Sequence, residues 1–200
     1  MGVISLEGTS MIRFTSLAAA LVLAATSPAT AHEIKTSKAA TSNPYAPYAF
    51  LVGDWNVSAS ARAAPFVTLR FHWAPHHAYL QYGAYIGQEP HFEGMMMWNG
   101  AHHNLDALIA MDMERGLVQE LGTVAMIDGA AVRDSIATYS EGVSAGGPLA
   151  GPSGATNRTR QTMRPVDADH IDLSFEIKTP SGWKPAMPGG DHLLMTRAKA

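Results

Sequence analysis

From Asp54 to Arg197, apolar and polar residues alternate in short runs, the period of a half-buried β-strand and not of a helix. The alternation is cleanest where Ile171, Leu173, Phe175 and Ile177 interleave with Asp172, Ser174, Glu176 and Lys178. It recurs at Leu105, Ala107, Ile109, Met111 and Met113, with Leu108 and Ala110 adding apolar character to the opposite face. The pattern predicts strands at Asp54–Ala61, Phe66–Trp73, Ala78–Ile86, His91–Asn99 and Leu105–Met113. It continues through Leu117–Ile127, Ala131–Tyr139, Arg158–Val166, His170–Thr179 and His192–Arg197, with a Gly/Pro/Ser-rich loop at 141–156. Ahead of these, Pro44 to Leu51 reads as a short helical turn leading into the domain.

The punctuation between the runs has a mechanism. Asn99-Gly100 and Asp128-Gly129 tolerate the positive φ of two-residue hairpin turns. Pro75, Pro90 and Pro180-Ser181-Gly182 cannot continue a central ladder, because proline lacks the amide donor. Short strands joined by tight turns leave no room for crossover helices, which implies an antiparallel barrel or sandwich. Closing the sheet on itself removes its exposed edges. The expectation is one all-β domain over residues 45–200, an antiparallel up-and-down barrel of about eight to ten strands with a short N-terminal helical turn.

Residues 1–31 read as a signal peptide whose true start is Met11. Met11-Ile12-Arg13 is a short basic region, Leu17 to Ala25 is apolar, and Ala29-Thr30-Ala31 places small residues at a cleavage site. The apolar stretch is too short to span a bilayer as a helix. Cleavage after Ala31 would leave residues 32–44 as a polar, flexible leader and predicts a periplasmic or secreted protein. The chain has no cysteine, which excludes a cysteine lipid anchor, disulfides, thiol catalysis and Cys-ligated zinc. With 46% hydrophobic and 16% charged residues and a net charge of −3, it shows neither a nucleic-acid surface nor a membrane anchor.

Two separated signals belong together. "FLVGDW" places Gly53 and Trp55 at the start of the first strand, and "LLMTR" places Arg197 on the last. In this the chain resembles the calycin (lipocalin-like) barrels, where a Gly-x-Trp on the first strand meets an arginine from the final strand at the closed end. The resemblance implies structural roles for Gly53, Trp55 and Arg197, the guanidinium stacking over the indole and bonding nearby carbonyls. The stretches "LVGDW", "FHWAPHHAYLQY", "FEGMMMWN", "RQTMRP" and the terminal "TR" are similar to a family of bacterial secreted or cytoplasmic calycin-like proteins of undefined function. Nitrobindin-type haem barrels are a neighbouring resemblance. They share the Gly-x-Trp and hold haem through a histidine near the C-terminus, which here implies His192. Those barrels continue with alternating glycines that let backbone approach the cofactor, whereas this chain reads Trp55-Asn-Val-Ser-Ala-Ser.

The stretch "FEGMMMWNGAHHN", Phe92 to Asn104, brings thioethers and imidazoles together, a donor set that suits copper. On a strand, however, Met95 and Met97 point one way while Met96 and Trp98 point the other, so the three methionines cannot converge on one ion. Met96 with Phe92 and Trp98 reads as core or pocket lining, methionine being an adaptable filler. His76-His77 and His102-His103 sit beside turns and read as exposed, with a rim site built from both pairs as the sharper alternative. His32 would become the first residue after cleavage, offering copper an amine and an imidazole together.

Catalytic motifs are missing: there is no Gly-x-Ser-x-Gly, no His-Glu-x-x-His and no dinucleotide fingerprint. Arg158, Arg160 and Arg164 share one face with Thr162, either a solvated face or an anion-recognising wall. The leading reading is therefore an exported barrel that binds a small, largely apolar molecule without a cofactor. Alternation assigns Trp73, Tyr82, Met96, Trp98 and Met111 to its cavity. A haem barrel using His192 and a periplasmic copper binder are the alternatives.

Overall fold

The structure is a computed structural model that describes residues 43–113, 116–140, 152–187 and 189–199. The expected signal peptide, and the leader up to residue 42, lie outside the described residues, as does 141–151 of the expected loop. A 3-10 turn at Ala46–Leu51 leads into the strands β1 (Gly53–Ser58), β2 (Val67–Trp73), β3 (Leu80–Ile86), β4 (Glu89–Asn99) and β5 (Asn104–Met113). These are followed by β6 (Gly116–Ile127), β7 (Ala130–Tyr139), β8 (Thr156–Pro165), β9 (His170–Thr179), β10 (Gly182–Pro185) and β11 (Leu193–Arg197).

Sequential antiparallel pairing runs from β1 to β9, and β11 returns to pair with both β9 and β1. Ten strands thereby close a ring, an up-and-down barrel in which no long edge is left exposed. The short β10 is the exception. β9 gives one edge to β8 and divides the other, its first half pairing with β11 and its second half with β10.

One end of the ring is sealed from its own sequence. Leu51 and Tyr48 from the 3-10 segment, and Tyr45 just before it, are buried among Trp55, Leu105, Val124 and Met195. The polar atoms carried inside are met: the Trp55 indole donates to the Leu51 carbonyl at 2.7 Å, and the Tyr48 hydroxyl to the Val124 carbonyl at 3.0 Å. Trp55 and Arg197 are register partners, and the guanidinium carbon lies 4.2 Å from the centre of the indole. Arg197 also donates to the carbonyls of Val52 at 3.0 Å and Ala168 at 3.1 Å, tying the last strand to the chain before the first. Gly53 is required here. Its φ is 130°, and a Cβ would stand 2.5 Å from Nη1 of Arg197.

Three local expectations change. Asn99-Gly100 is not a two-residue turn: the Asn99 side chain accepts from the amides of Ala101 and His102, and His103 takes the positive φ of 53°. The side-chain cap reinforces a longer turn, in which the His102 amide also donates to the Asn99 carbonyl at 3.3 Å. Pro90 does not end its strand but lies within β4, opposite a register shift between Ala84 and Tyr85 where a ladder bond is dispensable. β10, not foreseen from alternation, is too short to show a period and is held as a hairpin beside β9. Asp128-Gly129 makes the expected turn, with φ of 49° and 77°.

Candidate functional site

Alternation turns one face of every strand inward, and the interior so formed is filled unevenly. Toward the sealed end, Met96, Leu105, Val124, Met163, Ile171 and Met195 pack without solvent contact. Toward the end where β1–β2 and β3–β4 turn, the barrel holds a cavity of about 220 Å³. The boundary between the two halves is Tyr82. Its ring stacks on Phe71 at 4.6 Å and meets Phe92 edge-on at 5.0 Å, and its hydroxyl reaches Gln161 Oε1 at 3.2 Å. β3 and β8 are five places apart in the ten-strand ring, so this bond crosses the full width of the barrel.

The cavity has two unlike walls. Leu69, Ala84, Phe92, Ile109 and Met111 on β2 to β5, with Leu173 and Leu193, present hydrocarbon. On β6, β7 and β8 the inward positions are Glu120, Arg133 and Gln161. Glu120 and Arg133 are 2% and 4% exposed, and Arg133 Nη2 lies 3.2 Å from Glu120 Oε2. That distance is within reach of a hydrogen bond but lacks its alignment, and Oε2 has no hydrogen-bond partner among the described residues. Arg133 Nε and Nη1 lack one too, as do the hydroxyls of Ser135 and Thr159, which are register partners on β7 and β8.

Gly122 makes room for this cluster. It stands on the inward face of β6 between Glu120 and Val124, opposite Ser135. A Cβ there would collide with the Asp134 carbonyl and stand 2.5 Å from the Ser135 hydroxyl. Burial holds the Tyr82 phenol above its ordinary range, opposed by the positive charge of Arg133 and the bond to Gln161. The hydroxyl therefore stays protonated as a donor at neutral pH.

The mouth is apolar. Phe66 and Ile86 are 44% and 56% exposed at its rim, with His91 and Met187 beside them. Such rim side chains can contact an apolar molecule before it is buried.

Of the residues assigned from alternation, Tyr82 and Met111 line this cavity. Met96 points inward but lies beneath the Tyr82 floor, in the packed half. Trp73 and Trp98 stand farther toward the sealed end, only partly buried, Trp73 edge-on to Tyr45 at 5.3 Å and Trp98 against His103 at 6.1 Å. Met95 and Met97 face outward, opposite to Met96. Alternation alone did not single out Glu120, Arg133 or Gln161. The signal was present nonetheless: opposite charges occupy the mainly apolar parity of two neighbouring strands, among Val118, Val124, Ala131 and Ala137.

His192 does not fit a haem held in this cavity. Its side chain is 84% exposed and is not part of the lining, and 220 Å³ lies below the range usual for larger ligands. His76 and His77 are exposed in the turn after β2, and His102 and His103 in the turn after β4. Among the described residues no three His, Asp or Glu side chains cluster as metal ligands; His32 lies outside them. Arg158, Arg160 and Arg164 face outward and are engaged. Arg158 holds Asp134 with two bonds of 2.7 and 3.0 Å, Arg160 stacks 4.0 Å over Trp183, and Arg164 donates to the Asp128 carbonyl. A scan against protein-family models and a search of curated proteins both find no match to this chain.

Proposed function

We propose that this chain is an exported, calycin-like barrel that binds a small, largely apolar molecule in the cavity above Tyr82. One observation carries the reading: a cavity of about 220 Å³, walled mainly by hydrocarbon and rimmed by exposed Phe66 and Ile86, above a half in which Met96, Leu105, Val124 and Met195 are fully buried. Well-packed interiors rarely leave such a space, because each void forfeits dispersion contacts. An engineered apolar cavity of about 150 Å³ binds benzene, which sets the scale of the ligand at on the order of ten non-hydrogen atoms. Gly53, Trp55 and Arg197 at the sealed end support the calycin-like assignment. The reading requires no cofactor.

Native mass spectrometry of the protein purified from its own host tests the proposal, with an absorption spectrum recorded alongside. A retained small-molecule mass that disappears when Ala84 is replaced by Phe is the expected result. A Soret band or stoichiometric copper would replace the reading with one of the two alternatives. Absence of any retained mass, together with no binding of small apolar probes, would reject it.

A further inference from the structure

The polar wall of the cavity narrows the ligand's chemistry, given that the cavity binds a ligand at all. Arg133 is the decisive residue. It is 4% exposed, it lines the cavity, and Nε and Nη1 are buried with no partner among the described residues. Its charged partner among the described residues, Glu120, is misaligned and leaves an acceptor unmet at Oε2. Buried polar groups without partners are uncommon in folded proteins and costly, more so when charged. A ligand whose head group accepts from Arg133 and donates to Glu120 would satisfy both at once.

Charge decides which head group that is. Glu120 and Arg133 pair one acid with one base, and both are almost wholly buried. A carboxylate placed here would leave two anions sharing one guanidinium in a low-dielectric site, an arrangement penalised by desolvation and by repulsion from Glu120. A cationic amine would meet the reverse problem at Arg133. A neutral group that both accepts and donates meets neither. Tyr82 and Gln161 are already bonded to each other at 3.2 Å and complete a floor without net charge.

We propose that the cavity selects an apolar ligand carrying one neutral hydrogen-bonding head, of the amide class, and discriminates against the corresponding carboxylate. The hydrocarbon part lies against Leu69 on β2 and Ala84 on β3, and the head against Arg133 and Glu120 across the barrel on β7 and β6.

Octanamide, octanoate and butylbenzene, each of about ten non-hydrogen atoms, match the cavity and differ chiefly in the head. Titration of the full protein near pH 8, where octanoate is ionised, is followed by NMR at the Arg133 Nε–H resonance. Octanamide is expected to bind at least about tenfold tighter than octanoate and than butylbenzene, the scale of one hydrogen bond to a charged group. In the complex its carbonyl stretch should lie below the value in an apolar solvent, the mark of a hydrogen bond from a charged donor.

Octanoate binding as tightly as octanamide, or butylbenzene doing so, would overturn the head-group inference while leaving the small-molecule reading in place. Failure of all three to bind would reject both. The paired replacement Glu120→Gln with Arg133→Met should abolish the octanamide preference and keep butylbenzene binding; retention of the preference would overturn the inference. If that variant does not fold, the ranking and the carbonyl shift on the unaltered protein decide.

Discussion

Tyr82 on β3 and Gln161 on β8 stand on opposite walls of the ring and meet at 3.2 Å across its centre. This single bond divides a packed lower half from a hollow upper half. Replacing Tyr82 with Phe removes the donor and leaves a buried amide oxygen unmet, which costs about 1–3 kcal/mol. Adding Gln161→Leu to that variant should recover most of the loss, since both partners are then apolar. Urea unfolding of the two variants checks both expectations.

Tyr82 also sets an alkaline limit on stability. Burial raises its pKa in the folded state above the ordinary phenol value of about 10. Folding thus favours the protonated form. The contribution is fully present below about pH 10 and is lost as pH rises through the folded value. Tyrosinate absorbance, followed against unfolding, should show buried phenols, Tyr82 with Tyr48 and Tyr139, that ionise above the ordinary range, and Tyr82→Phe should remove one phenol's share of that late component.

Ala84 faces the cavity, so a larger side chain there grows into space and not into neighbours. Elsewhere in a packed barrel, added methylenes cost about 1–3 kcal/mol. Ala84→Leu is expected to leave stability unchanged or higher, while weakening ligand binding by tenfold or more. A melting curve and a probe titration together distinguish filling from distortion.

Gly122 tolerates no Cβ. Gly122→Ala would press on the Asp134 carbonyl and the Ser135 hydroxyl, forcing β6 and β7 apart beside the Glu120–Arg133 pair. The expected loss is about 2–4 kcal/mol, on the scale of overpacking combined with a disturbed buried pair. Thermal unfolding reads the loss, and accelerated amide exchange in β6 and β7 locates it.

At the sealed end, Arg197→Ala removes a stacked cation and two bonds to carbonyls, at a cost of about 2–4 kcal/mol. Arg197→Lys should restore only part of that, because an ammonium cannot hold the planar stack and both carbonyls together. Chemical unfolding of both variants measures the difference.

Much of this architecture is legible from local pattern. Period-two alternation from Asp54 to Arg197 identifies ten of the eleven strands, since burying one face of a strand is a constraint each segment carries in its own residues. The same rule splits Met95 and Met97 from Met96. Asp128-Gly129 carries its turn in two residues.

The site was less legible, because alternation says which way a side chain points and not at what height. Trp73, Met96 and Trp98 share the inward parity of Tyr82 and Met111 but stand lower in the barrel. Height depends on the register of each strand against its neighbours, a tertiary property. So does the meeting of Tyr82 with Gln161, 79 residues apart. The sequence alone thus determined an all-β chain with one face of each strand inside. Only the closed ring, by setting the register of ten strands at once, decided that the interior is half filled and that Glu120 and Arg133 share the hollow half.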